Sequence, residues 1–271
     1  MTTRTYFAIG FASVALVAAL TDIASAGMVD DIKLRGKLIC GTEGVNPRFS
    51  LQNPVTRKLE GSEPELCAKV AEAIGVPIEY KLVTSASRIP ELMQGQVDLL
   101  AAGISWTAER AKQIDYSNTY FSQPFSVMVP VSTGIADFKQ LETARFANVK
   151  GSLLESVTRK RFPNAPIISF DEASQQFLAL DQGKADAMVS GLYYLRTYQM
   201  KSGEDKYRIL DEELSRVNVG FAVRKGDKEW VEYLNKVLED LETSGEGQAI
   251  YEKNFGDMGL PRSYKFGSPI N

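Results

Sequence analysis

Two stretches of this chain follow one grammar, and that repetition limits the fold more than any other feature. Gln94-Gly95-Gln96-Val97-Asp98-Leu99-Leu100-Ala101-Ala102-Gly103 and Gln182-Gly183-Lys184-Ala185-Asp186-Ala187-Met188-Val189-Ser190-Gly191 both run from a helix end through a glycine stop and an aspartate into an apolar strand that closes on a glycine. They lie 88 residues apart, from 94 to 182, which is long for a solenoid unit and suits a lobe. The alternative is a chance likeness between two αβ turns.

The chain around each copy alternates between strand and helix periodicity. In the first unit, Lys37 to Gly41 reads as a strand and Thr42 to Leu59 as an irregular segment. Glu63-Pro64-Glu65-Leu66 opens a helix, with Pro64 suited to its first turn and Leu66, Val70 and Ile74 at helical spacing before Gly75. A strand over Pro77 to Val83, a helix over Arg88 to Gln94 and a strand over Val97 to Ala102 complete it. In the second unit, Arg145 to Val149, Ile167 to Phe170 and Ala187 to Val189 read as strands, and Leu153 to Arg161 and Ser174 to Asp181 as helices. Such βαβαβ order implies parallel sheets wrapped by helices. Two further strand-like stretches, Tyr116 to Val131 and Val217 to Val223, read as paired crossings between the units. Glu229 to Leu241 is an amphipathic helix with Trp230, Leu234, Val237, Leu238 and Leu241 on one face. A shorter helix ends at Phe255-Gly256, and the tail from Met258 is expected to be extended and packed only in part.

At 271 residues, with 44% hydrophobic and 24% charged residues, the chain has room for two lobes of about a hundred residues each. Its net charge of −3 argues against a nucleic-acid partner. There is no histidine, which removes Ser-His-Asp and Cys-His catalysis and counts against a zinc site; no metal or cofactor is expected. Arg4, the apolar segment Tyr6 to Leu20 and Ala24-Ser25-Ala26 read as a signal peptide over residues 1–26. No cysteine follows that cleavage site, so nothing supports a lipid anchor. In an oxidising compartment Cys40 and Cys67 are either bridged or two separate buried thiols.

Ligands of open parallel sheets sit beyond the carboxyl ends of strands. Four such ends stand out: Thr42-Glu43, Gly103-Ile104-Ser105, Gly151-Ser152 and Ser190-Gly191. After Gly103 the sequence reads as a turn and the start of a helix capped by Thr107, which puts Arg110 near its third position, where the macrodipole disfavours a cation. Either an anion held between the guanidinium and free amides relieves that conflict, or Arg110 points to solvent or pairs with Glu109 or Asp115. A carboxylate is the right shape for a two-pronged arginine contact. Gly103 can offer its carbonyl to an ammonium, and Ser105 its hydroxyl and amide. Across the cleft, Ser152 and the Leu153 amide either complete an anion site or form an unliganded αβ turn with a serine cap.

These pieces, in this order and spacing, resemble the bacterial extracellular solute-binding proteins, family 3, of polar amino-acid ABC importers. The likeness covers about Gly36 to Gly256 and rests on Gly36-Lys37-Leu38-Ile39-Cys40-Gly41-Thr42, the helix near Gly61 to Gly75, the S-x-T-x-x-R core within Ala102 to Arg110, Val149 to Ser152, Gly183 to Ala187, Phe221 to Asp227 and Tyr251 to Gly256. It implies an α/β, two-lobed periplasmic binding fold of type II, each lobe a mostly parallel sheet flanked by helices, with two interlobe crossing strands. Lobe 1 would comprise 34–123 plus 219–262, lobe 2 would comprise 124–218, and 263–271 would be the tail.

The resemblance also implies a non-enzymatic, monomeric periplasmic receptor. It would bind an amino acid or derivative and deliver it to an inner-membrane ABC permease by hinge closure. The ligand carboxylate would meet Arg110, Ser105 and the amides near Ser152 and Leu153; the ammonium would meet the Gly103 carbonyl and Ser105, with Ile104 between them. Glu43 and Arg88 would face the ligand side chain, and they carry opposite charges. Two departures stand out. Gly191, beside Ser190, replaces the usual ammonium-pairing aspartate, and Asn46 stands near where an aromatic is common. The ligand would then lack a simple ammonium, be substituted on nitrogen, or use Glu43 as counter-ion. Rival readings are a cleft enzyme of the cyclohexadienyl-dehydratase type and a sensory binding subunit without transport.

Overall fold

The computed structural model describes residue 1 and residues 27–203, 205–260 and 262–271; the leader at 1–26 falls almost wholly outside them. The first half contains α1 (Met28–Arg35), β1 (Leu38–Thr42), β2 (Val45–Asn46), β3 (Ser50–Gln52), β4 (Leu59–Glu60), α2 (Ser62–Ile74), β5 (Ile78–Leu82), α3 (Arg88–Met93) and β6 (Leu99–Leu100). The long strand β7 (Ile114–Pro130) leads into β8 (Phe146–Val149), α4 (Leu153–Arg161), β9 (Ile167–Phe170), α5 (Ala173–Asp181), β10 (Ala187–Gly191), α6 (Leu192–Ser202) and β11 (Tyr207–Ile209). Then β12 (Ser215–Arg224) returns the chain to α7 (Lys228–Ser244) and α8 (Glu246–Phe255).

One mixed sheet runs in the order β5-β1-β6-β12-β7-β10-β8-β9, with β11 added to β7. Each outer half is parallel, β5-β1-β6 on one side and β10-β8-β9 on the other. The antiparallel pair β7–β12 joins them from Ile114–Arg224 to Phe125–Ser215, so the two expected crossings are a single ribbon. The parallel strands read as apolar runs because both faces are covered: Leu99, Leu100, Ala187, Met188 and Val189 are fully buried. The amphipathic face expected of α7 is the buried one, and Trp230 donates from its indole to the Asp98 carbonyl at 3.2 Å.

The repeated aspartate has the same task in both lobes. Asp98 donates its N–H to the Ile39 carbonyl at 2.9 Å and accepts the Ile39 N–H on Oδ2 at 2.7 Å. Asp186 donates to the Arg145 carbonyl at 2.8 Å and accepts the Arg145 N–H on Oδ2 at 3.0 Å. Each carboxylate thus clasps the entry to its lobe's leading strand, and each also holds an arginine, Arg35 and Arg145 respectively.

Two expectations are corrected, and one helix was not expected. The stretch from Thr42 to Leu59 is not wholly irregular, since β2, β3 and β4 form a small antiparallel sheet. Helix α6 begins directly at Gly191 without a side-chain cap, so no capping signal marks it. No α-helix follows Thr107; Arg110–Lys112 is one 3-10 turn, although the Thr107 hydroxyl does accept the Arg110 N–H at 3.1 Å. So short a turn has little macrodipole, and the electrostatic conflict inferred at Arg110 has a different origin, described below. The tail from Met258 is extended and packed in part, as expected: the Gly267 N–H donates to the Thr119 carbonyl at 3.0 Å, the Thr119 N–H donates to the Ser268 carbonyl at 2.8 Å, and Phe266 is buried. Cys40 and Cys67 are bridged, joining β1 to α2.

Candidate functional site

A cavity of about 270 Å³ lies between the two halves of the sheet. Glu43, Asn46, Arg88, Gly103, Ser105 and Arg110 line it from the first lobe, and Ser152, Leu153, Ser190 and Gly191 from the second. Ile104 is the exception among the residues expected there: its side chain is fully buried in the apolar cluster with Leu100, Ala102 and Ile114. The alternation of a strand-like segment explains this, since the neighbours of two cavity-facing residues point away.

Arg110 has no carboxylate partner among the described residues. Its expected surface partners are engaged elsewhere, Asp115 with Lys225 and Glu109 with Lys112. Its guanidinium donates to the Ser105 carbonyl at 3.1 Å and, across the cleft, to the Gly151 carbonyl at 3.3 Å. Burial, followed by the charge of Arg88, lowers its pKa to about 10. It therefore remains a cation at neutral pH, in a place where a cation without an anion is costly. The lobes also touch at this mouth, because a Cβ on Gly151 would lie 3.2 Å from the Ala86 Cα and 3.3 Å from the Ser85 carbonyl oxygen. Ser152 caps α4 by accepting the Glu155 N–H at 3.3 Å, which leaves its hydroxyl hydrogen free to donate.

Arg88 and Glu43 largely satisfy each other's surroundings. Arg88, 3% exposed, donates to the Ala102 carbonyl and approaches Glu43 at 3.5 Å. Glu43 also accepts from the Ser85 hydroxyl at 2.6 Å and from the Asn46 amide. The opposite charges that pointed to different ligands in the sequence form one pair in the cavity wall.

Several lining residues carry no sequence signal of function. Glu63, on the first turn of α2, turns inward and accepts the Gly103 N–H at 2.6 Å and the Tyr120 hydroxyl at 2.7 Å on Oε1. Its Oε2 is buried without a partner among the described residues. Burial raises its pKa to about 7 against the opposing effect of those two bonds. Tyr120 reaches Glu63 from a bulge: Phe121 pairs with Val219 and Thr119 with Gly220, leaving Tyr120 as the extra residue. At Gly191 a Cβ would fall 2.2 to 2.3 Å from the carboxamide atoms of Gln123, so the Gln123 amide occupies the space a side chain there would need. Gln123 Oε1 is also buried and unpartnered. An aromatic stands near Asn46 after all, since Phe49 lines the cavity and stacks on Tyr194 with ring centroids 4.7 Å apart. The aromatic richness of residues 116–131 was the one available signal; the inward turn of Glu63 depends on packing that no local pattern encodes.

Two lobes joined by a paired ribbon, with a cavity between them lined by charged, polar and apolar side chains, define a binding architecture. The chain belongs to the bacterial extracellular solute-binding proteins, family 3, which it matches over residues 38–257. It is 32% identical to the glutamine-binding protein of Geobacillus stearothermophilus, covering 78% of this chain and 81% of that one. It is 27% identical to the L-cystine-binding protein TcyJ of Escherichia coli K12, covering 91% and 94%. A similar solved structure is the ancestral amino acid-binding protein AncCDT-1, a precursor of cyclohexadienyl dehydratase, with a TM-score of 0.79 at 28% identity over 84% of this chain and 100% of that one. The family is one of solute-binding proteins, and each of these relatives is an amino-acid-binding protein. No helix among the described residues is long and apolar enough to cross a membrane.

Proposed function

We propose that this protein is the periplasmic receptor of an amino-acid ABC importer, exported by the leader at 1–26 and acting as a monomer that hands its ligand to an inner-membrane permease. The observation that carries this is Arg110, a half-buried guanidinium at the cavity edge with two carbonyl acceptors and no anionic partner among the described residues. A ligand α-carboxylate supplies that anion, joined by the Ser105 and Ser152 hydroxyls and the Leu153 amide. Lobe limits at 34–123 plus 219–262 and at 124–218 place the change of lobe within the β7–β12 ribbon, which suits hinge closure around the ligand.

Arg110→Ala is expected to weaken binding of free amino acids by about a hundredfold or more, with an unchanged circular-dichroism spectrum. A thermal-shift panel of acidic, basic and neutral amino acids tests the class; a saturating ligand at about 100 times its Kd adds about 2.7 kcal/mol of stability. Undiminished affinity in the Arg110→Ala protein refutes the carboxylate anchor.

A further inference from the structure

We propose that Glu63 is the counter-charge for the ligand α-ammonium, and that the incoming ammonium expels a proton from the Glu63 carboxyl, so that binding is proton-linked. The inference rests on the amino-acid receptor reading above and adds where the charge balance lies.

The acids that line the cavity leave Glu63 as the one available. Glu43 is held by Ser85, Asn46 and Arg88. Glu172 caps α5 and accepts the Ser174 hydroxyl at 3.3 Å, and Asp171 is exposed at the rim. On the opposite wall, Gly191 offers no side chain and Gln123 only a neutral carboxamide. Glu63, 1% exposed, lines the cavity, and its Oε2 is buried with no partner among the described residues.

Its position suits an α-amino acid. Glu63 grips the backbone at Gly103, and Arg110 grips it at Ser105. Those anchor points are two residues apart, about 7 Å at full extension. A zwitterion lying along this strip with its carboxylate at Arg110 presents its ammonium toward the Gly103 carbonyl and the Glu63 carboxyl. The unpartnered Gln123 oxygen offers a further acceptor for N–H groups of the ligand. An acylated nitrogen brings no charge to Glu63.

The proton follows from the surroundings of Glu63. Tyr120 on β7, Glu43 beyond β1, Arg88 on α3 and Tyr194 on α6 are the titratable groups around it. Burial outweighs the Tyr120 and Gly103 bonds, and the charge of Glu43 adds to it while that of Arg88 opposes it, leaving the carboxyl near pH 7. A neighbouring ammonium favours the ionised form. The proton passes to solvent, and its loss is balanced by the cation that enters.

Calorimetry of the full protein with L-glutamine, L-arginine, L-cystine and L-glutamate, each with its N-acetyl form, tests this. Comparing phosphate with Tris buffer at pH 7 should show release of about half a proton per free amino acid bound, falling to none at pH 9. Affinity should drop about tenfold per pH unit below pH 7. N-acetylation should cost about a hundredfold or more. Glu63→Gln should abolish both proton release and pH slope. Glu63→Asp, should the amide variant fold poorly, should retain proton release with weaker binding. Binding without proton exchange at pH 7, an unchanged pH slope in Glu63→Gln, or N-acetyl ligands binding as well as the parents overturns the proposal while leaving the receptor reading intact. If none of the four amino acids binds at pH 7 or pH 9, the receptor reading fails and this inference with it.

Discussion

Gly191 and Gln123 act as one unit. The Gln123 carboxamide lies where a Gly191 side chain would go, so a side chain at position 191 requires Gln123 to move or be replaced. Gly191→Ala should displace the Gln123 side chain and cost about 1–2 kcal/mol, measured by denaturant unfolding. In a Gln123→Ala background most of that cost should vanish, and a double-mutant cycle with a coupling energy near zero would contradict the packing described. Arg110 and its neighbours Gly103 and Ser105 were legible in the sequence because a strand end and a turn place them with local rules alone. Arg110 was found partly for a wrong reason, since the helix whose dipole it seemed to oppose is a single 3-10 turn; its awkwardness comes from burial. Glu63 escaped notice because an acid in a first helical turn is ordinary. Only tertiary packing turns it away from water and onto Gly103.

Elements with strong periodicity matched the expected boundaries closely: α4 and β9 span the residues expected of them. The misses have physical reasons. Strands β2 and β4 have two residues each, too short to show alternation, and α6 starts without a capping side chain. At this scale the Cys40–Cys67 bridge matters most, because it ties β1, whose end leads to Glu43, to α2, which carries Glu63. It closes a sequence separation of 27 residues, worth about 3–4 kcal/mol in the chain-entropy model. Reduction, or Cys40→Ala with Cys67→Ala, should lower the melting temperature by about 10 °C, read by scanning calorimetry with and without reductant. An unchanged melting temperature would mean that the bridge adds nothing to the packing of α2 on β1.

Across the whole molecule, the repeated aspartate clasp shows why the two lobes share a grammar: both need the entry to a leading strand pinned to the strand that follows the second helix. Lobe architecture was therefore readable from spacing, whereas the asymmetry between the cavity walls, Glu63 on one and Gly191 with Gln123 on the other, was not. The C-terminal segment carries a mechanical consequence. Thr119 exchanges backbone bonds with Gly267 and Ser268 and donates its hydroxyl to the Pro269 carbonyl at 3.2 Å, while Asn218 donates to the Ile270 carbonyl at 3.2 Å. Ile270 also covers Gly220, where the ribbon is irregular. If the ribbon is the hinge proposed above, the segment is a splint along it and sets how much torque is needed to twist one lobe against the other. Removing residues 267–271 should leave the lobes folded and soften that joint, raising the ligand dissociation rate several-fold in stopped-flow measurements more than it changes equilibrium affinity.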